Sequence, residues 1–327
     1  MALPSTTRAW SIREINKDSF DSLLGDHDVL VQIEAVSLNY RDLAIPKGLY
    51  PFAINLPFVP GSDSAGIVLA VGPKVIRVAK GDRACTLFNE HHLTNPITPE
   101  AAESGFGGAI DGTLREYAVF GDHALVKAPT SLNAIEASTL TCAPLTAWNA
   151  LYGLQSKAIK AGDWVLTQGT GGVSLSGIQV AAAAGATVKP GATHIINYKE
   201  TPNWGEVARA LTPEGAGFDH ILEVSGAGSL EQSLKAIKLE GVITIIGFLA
   251  PSEKQPPLMD ALKHVCIVRG IFVGSRQQFE EMNRAIDSAK IYPVIDSNIF
   301  SFDDVKKAYQ YQWDQKHFGK VVIKIAN

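Results

Sequence analysis

The chain has 327 residues, 46% hydrophobic and 19% charged, a globular composition with enough apolar material for one large or two ordinary domains. Its formal net charge of −4 excludes a global attraction to nucleic acid or to an anionic membrane. No apolar run is long enough to span a bilayer, and the opening MALPSTTRAWSIREI lacks the apolar core of a signal peptide, so a soluble, cytoplasmic protein is expected.

Residues 29–38, VLVQIEAVSL, begin with period-two alternation and read as a strand. LPFVPGSDSAGIVLAVG, VAKGDRACTLF and GTLREYAVFGDHALVKAP add short apolar runs cut by Gly, Pro and Asp, the pattern of a compact β-rich unit. Between them, residues 89–110 are polar and rich in Gly and Pro, which suggests a surface loop or lobe. Near residue 134 the chain turns to helix formers, AIEASTLTCAPLTAWNALYGL, with Pro144 placed to bend or split the helix.

From residue 163, strand and helix alternate. WVLTQ, HIINY, HILEVS, GVITIIGF and CIVRGIFVG read as strands; SLSGIQVAAAA, NWGEVARAL and SLEQSLKAI read as helices. Nearly continuous apolar strands between amphipathic helices imply a parallel sheet covered on both faces. The tail changes again. RQQFEEMNRAIDSAK places Phe279, Met282 and Ile286 on one helical face, and GKVVIKI closes the chain as a strand.

The turn GTGGV, Gly169, Thr170, Gly171, Gly172 and Val173, sits between a strand and a helix at the head of this array. Glycines there permit a sharp turn and a close backbone approach to a diphosphate, and the free amides of the helix start favour its negative charge. The third small position is Ser174 instead of glycine. Beyond the helix the usual pattern breaks. An acidic or basic residue about 20 positions on would discriminate NAD from NADP. Here ATV is followed by only KPGAT before HIINY. A parallel crossover needs about a dozen residues or more. Either these strands are not parallel neighbours, or a stretch of chain is absent. KPGATHIINY looks like the end of a helix feeding a third strand, which favours the second reading.

The ordered set GSDSAGIV, GDRA, DGTLREYAV, LTCAPLTAWNAL, GTGGVS, GATHIINY and HFGKVVI resembles the medium-chain dehydrogenase/reductases, in particular their zinc-independent, quinone-oxidoreductase-like branch. The resemblance covers nearly the whole chain. It implies an α/β protein: a GroES-like β-rich catalytic domain from residues 1–127 and 275–327, and a Rossmann doubly wound parallel sheet in residues 128–274. It also implies a homodimer, and NADPH or NADH as hydride donor, NADPH first.

Zinc-dependent relatives hold catalytic zinc with Cys, His and Cys; the matching positions here are Asn39, Ser62 and Cys142. One thiolate cannot make a three-ligand site, and the three scattered cysteines, Cys85, Cys142 and Cys266, cannot form a four-cysteine structural site. They read as reduced, mostly buried thiols. His91 and His92 are adjacent in a polar stretch, where histidines are usually solvated. No metal is expected.

The resemblance places Asn39 and Tyr50 beside the nicotinamide as catalytic hydrogen-bond donors; their chemistry alone fits a turn-forming side chain and a partly buried aromatic equally well. Arg41 and Asp42 read as an ion pair or a cap. The implied cofactor contacts are Thr146 near the carboxamide, Tyr198 near the adenosine ribose or its phosphate, Ser225, Gly247, Phe248, Phe272 and Val273 at strand ends, and Lys320 near the nicotinamide. Core packing competes for Phe248, Phe272 and Val273, and a solvated surface charge for Lys320. The expected activity is hydride transfer to a small-molecule quinone or α,β-unsaturated carbonyl. The rivals are an alcohol dehydrogenase and a dinucleotide-binding protein with little catalysis.

Overall fold

The computed structural model describes residues 24–52, 54–187, 192–250 and 256–325. The chain divides into two compact units, Met1–Cys142 with Ser275–Asn327, and Ala143–Gly274. The first boundary follows Cys142. Residues 128–142, assigned from sequence to the nucleotide-binding domain, therefore belong to the first unit. There the Cys85 thiol donates to Ala137 O (3.4 Å) and the Cys142 amide to Asp63 Oδ2 (3.1 Å).

The first unit opens with β1 (Asp28–Ser37), then α1 (Tyr40–Ala44), β2 (Asp63–Val71), β3 (Arg83–Thr86), α2 (Pro99–Ala102), β4 (Tyr117–Gly121), β5 (Leu125–Lys127) and α3 (Ala134–Ala137). The alternation read in β1 buries Val29, Val31 and Ile33 in the main core cluster of this unit. At ten residues β1 is long enough to serve two partners along one edge, β4 at Asp28–Gln32 and a C-terminal strand at Ala35–Ser37. β2 takes its other edge, and β3 and β5 continue the antiparallel ladder. Residues 89–110 are more ordered than their polarity suggested. Thr98 caps α2 by accepting the Ala101 amide (3.1 Å), Asn89 bridges Gly105, and Phe106 is buried. His91 is exposed, as expected, but His92 is not: it is 3% exposed, its Nε2 bonds Asn95 Oδ1 (3.1 Å), and burial lowers its pKa.

The second unit runs α4 (Ala143–Tyr152), β6 (Val165–Thr167), α5 (Gly172–Ala183), α6 (Trp204–Ala210), β7 (Phe218–Glu223), α7 (Leu230–Ala236), β8 (Ile237–Ile245), α8 (Met259–Lys263) and β9 (Ile267–Gly270). Pro144 splits α3 from α4 and sits in the first turn of α4, where its missing N–H leaves no bond unmade. The strands form a parallel sheet in the order β6-β7-β8-β9. Neighbouring residues of β7 point to opposite layers: Ile221 packs with α6 and α7, and Leu222 with α4 and α5. Both faces are thus covered.

Two expected strands are absent among the described residues. Thr187 of ATV donates its amide to Asp163 O (2.9 Å) instead of joining a ladder. HIINY carries no strand, with Ile195 88% and Tyr198 64% exposed. The reason is chain length: the link KPGAT is far short of the roughly dozen residues a parallel crossover requires. Residues 188–191, which include the first three of that link, lie outside the described residues. Among the described residues β6 pairs only with β7, and all three of its residues are only half-buried.

The chain then returns to the first unit through α9 (Arg276–Ala289), β10 (Ile295–Ser301), α10 (Val305–Trp313) and β11 (Lys320–Lys324). Ser275 caps α9 by accepting the Gln278 amide (3.3 Å), and Phe279, Met282 and Ile286 are buried on one face as their spacing predicted. β11 pairs antiparallel with β1 and parallel with β10. That register brings the start of β11 beside Leu38 and Asn39.

Candidate active site

In the first unit, β1, β2 and β11 deliver Asn39, Ser62, Asp63 and Lys320 to one buried polar centre. Lys320 is 4% exposed; its Nζ donates to Leu38 O (2.8 Å) and Asn39 Oδ1 (2.6 Å) and lies 3.7 Å from Asp63 Oδ2. Asn39 Nδ2 faces Ser62 Oγ (3.4 Å), and Ser62 Oγ donates to Asp63 Oδ1 (2.7 Å). Burial raises the Asp63 pKa, while Lys320, Ser62, Asn39 and the Cys142 amide oppose the rise. The Cys142 thiol is pushed up to about 12, first by burial and then by the Asp63 charge. Lys320 is therefore not the solvated surface charge its sequence permitted. It is a buried cation with protein acceptors on several sides.

Tyr50 lies beside Arg41, whose guanidinium carbon is 5.1 Å from the Tyr50 ring and 4.8 Å from that of Phe88. Arg41 Nη1 donates to Phe106 O (2.6 Å). Burial raises the Tyr50 phenol pKa, and the Arg41 charge and hydrogen bond partly offset it. Asp42 is the cap of α1: its Oδ2 accepts the Asn39 amide (2.8 Å). Burial dominates its titration and moves it up to about 6, against the pull of Arg41.

In the second unit the glycine turn is built as its spacing suggested. Gly169 has φ +75°, a left-handed conformation that glycine adopts without strain, and a Cβ there or at Gly171 would meet nothing within 4 Å. Gly171 precedes α5, whose first amides have no side-chain cap. Ser174 is buried and donates to Gln168 O (2.5 Å). The close packing of helix on strand falls to Gly177, where a Cβ would lie 2.6 Å from Leu222 Cδ2. Composition alone gave no reason to single it out.

Glu223 is a second residue that sequence reasoning passed over. It is fully buried at the end of β7 and accepts from Gln168 Nε2 (2.7 Å), Ser229 Oγ (2.5 Å), Ser233 Oγ (2.5 Å) and the amides of Ser225 (3.1 Å) and Gly226 (2.9 Å). It fixes the loops that follow β6 and β7. Its signal was a lone acid in an apolar strand followed by serines.

The remaining candidates fall in several environments. Thr146 is buried in α4. Ser225 and Gly247 stand at neighbouring strand ends, where a Cβ on Gly247 would meet Val224 O at 2.3 Å. Phe248 is 38% exposed, Phe272 half-buried, and Val273 a core residue at 7%. Tyr198 stands on an exposed turn instead of a strand end.

A dinucleotide fits this unit at its diphosphate, where open backbone and uncapped amides wait at Gly169–Gly172. The adenosine side has no second strand to meet among the described residues. Zinc does not fit Asn39, Ser62 and Cys142. The three matching positions hold an amide, a hydroxyl and a thiol raised to about 12, and the Lys320 ammonium already occupies the acceptor of Asn39. Among the described residues no group of three or more His, Cys, Asp or Glu side chains could hold a metal ion.

Comparison with known proteins agrees with this architecture. The family model for the alcohol dehydrogenase GroES-like domain matches residues 25–130, and that for zinc-binding dehydrogenase matches residues 190–323. A zinc-type alcohol dehydrogenase-like protein of Schizosaccharomyces pombe is 45% identical over 92% of each chain. The quinone oxidoreductase of Homo sapiens is 26% identical over 87% of this chain and 85% of its own. The crystal structure of a putative alcohol dehydrogenase from Sinorhizobium meliloti 1021 superposes with a TM-score of 0.82 at 42% identity, covering 92% of each chain.

Proposed function

Because the chain belongs to the medium-chain dehydrogenase/reductase superfamily, we infer that it is an NAD(P)-dependent oxidoreductase that reduces a quinone or an α,β-unsaturated carbonyl without zinc. The observation that carries the zinc-free reading is the Lys320 ammonium bonded 2.6 Å from Asn39 Oδ1, a charge that a metal ion would have to displace.

The roles follow from the chemistry of the side chains. The uncapped amides of α5 and the open turn at Gly169–Gly172 hold the diphosphate. A reduced nicotinamide, when bound, supplies the hydride, with NADPH the donor to assay first. The substrate oxygen that gains negative charge takes hydrogen bonds from the Asn39 amide and the Tyr50 phenol. Tyr50, protonated through the physiological range because burial raises its phenol, donates the proton that hydride reduction consumes, and solvent is its alternative.

A second reading, alcohol dehydrogenase, is favoured by the name of the Schizosaccharomyces pombe relative. NADPH oxidation with a panel of small quinones and enones, run beside alcohol oxidation and metal analysis, separates the two. Quinone or enone turnover in zinc-free protein supports the proposal; alcohol oxidation that tracks stoichiometric zinc sinks it. NADPH binding with no turnover of any substrate leaves a binding protein. A cytoplasmic homodimer is the expected setting, and sedimentation analysis checks the assembly.

A further inference from the structure

We propose that Lys320 is a positioning residue, whose buried ammonium pins the carboxamide oxygen of Asn39 and so fixes which edge of that amide carries its donors. The inference rests on the reading of Asn39 as the donor to the reduced substrate oxygen.

A lysine ammonium has three donors and no acceptor. The group that faces it must present oxygen. Lys320 Nζ donates to two oxygens, Leu38 O at 2.8 Å and Asn39 Oδ1 at 2.6 Å. Asn39 therefore cannot turn its amide over. Oδ1 stays with the cation, and Nδ2 stays on the side of Ser62 Oγ, 3.4 Å away, and of the Asp63 carboxylate. The direction of every bond then follows in one sense: from Lys320 to Asn39, from Asn39 to Ser62, and from Ser62 to Asp63 Oδ1 at 2.7 Å. Asp63 closes the ring, its Oδ2 held by the Cys142 amide at 3.1 Å and 3.7 Å from Lys320. A positive charge on the carbonyl end of an amide draws electron density from its nitrogen and strengthens its N–H donors. The two Asn39 hydrogens are thus both oriented and polarised by Lys320.

This differs from the direct cofactor contact that the resemblance implied. Lys320 is 4% exposed, and two of its three donors bond the protein while Asp63 Oδ2 lies 3.7 Å away. It arrives from the far end of the chain, on β11, 281 residues from the side chain it holds. The antiparallel register of β1 and β11, with Leu38 N donating to Val321 O (2.9 Å), sets the approach.

The test uses the full chain with NADPH and a quinone it reduces. Lys320→Met lowers kcat by about 10²-fold, the scale of losing one preorganised oxyanion donor. The Kd for NADPH, read by nicotinamide fluorescence, stays within about twofold when Lys320 acts through Asn39 alone. Combined with Asn39→Ala, Lys320→Met adds nothing beyond about twofold, since it acts through Asn39. Multiplying losses in the double variant, unchanged kcat in Lys320→Met, or a Kd that rises in step with the loss would each overturn the proposal. Should Lys320→Met fail to fold because Asp63 is left buried without its cation, the same comparison is made in an Asp63→Asn background. In wild-type protein that binds NADPH but reduces no substrate, the functional reading fails, and the pinning is read from ¹⁵N spectra instead. A slowly exchanging Lys320 ammonium signal that is unmoved by saturating NADPH supports it; a signal that shifts with NADPH refutes it.

Discussion

The side-chain amide of Gln168 donates to the carboxylate of Glu223 across 2.7 Å, joining the last residue before the glycine turn to the end of the neighbouring strand. Gln168 Oε1 in turn accepts the amides of Val224 and Ser225, both at 3.2 Å. The turn is held by this cross-strand pair more than by its own sequence. Glu223→Ala strands several buried donors at once, so it is expected to lower the unfolding free energy by about 3 kcal/mol. Urea unfolding followed by fluorescence measures it, and a midpoint equal to wild type contradicts the assignment.

Gly169 and Gly177 stand eight residues apart and separate binding from packing. Gly169→Ala introduces a Cβ into open space at φ +75°, costing about 1–2 kcal/mol in backbone strain and crowding the diphosphate. Its NADPH affinity should fall more than its stability. Gly177→Leu drives a side chain into Leu222, an overpacking cost of about 1–3 kcal/mol with the turn itself untouched. Thermal melts and NADPH titrations on the two variants should rank them in opposite order.

Asp42 gives stability a definite slope with pH. Its folded pKa of about 6 lies above the ordinary 3.8, so the fold binds a proton that the unfolded chain has released. Its contribution is complete below about pH 4 and is lost as pH rises through about 6. Ionised Asp42 at pH 7 therefore costs about 3 kcal/mol against the unfolded reference. Asp42→Asn keeps an oxygen for the Asn39 amide and removes that cost. The variant should be the more stable protein at pH 7, with the gap closing toward pH 4. A constant difference across urea midpoints at pH 4, 5, 6 and 7 would contradict this.

Cys142 should be chemically quiet. With its thiol pushed up to about 12, only about one molecule in 10⁴ carries the thiolate at pH 8. Iodoacetamide at that pH should leave Cys142 unlabelled in mass spectra of the native protein and label it fully in urea. Rapid native labelling would mean the site presents a reactive sulfur, as a metal-binding position would.

Much of this was legible in the chain, for physical reasons that differ by element. α9 announced itself because Phe279, Met282 and Ile286 repeat at helical spacing and bury together. β7 and β8 announced themselves because strands covered on both faces must be apolar throughout. Asn39 and Lys320 could be named only through a resemblance. Their relation to each other could not, since 281 residues separate them and only the pairing of β1 with β11 brings them together. Gly177 was invisible because a glycine needed for closeness instead of for a turn leaves no periodic mark, and Glu223 showed only as a lone acid in an apolar strand ahead of serines. His92 misled in the opposite direction: a polar neighbourhood in sequence became a buried position once α9 docked its first amides on His92 O and Leu93 O.

The place of β6 at the rim of its sheet has one practical outcome. Among the described residues β6 has β7 as its one ladder partner, while side chains pack near it, His194 stacked on Trp164 and Ile196 clustered with Leu166. Amide hydrogen exchange should therefore be faster along β6 than along β7, which is paired on both sides.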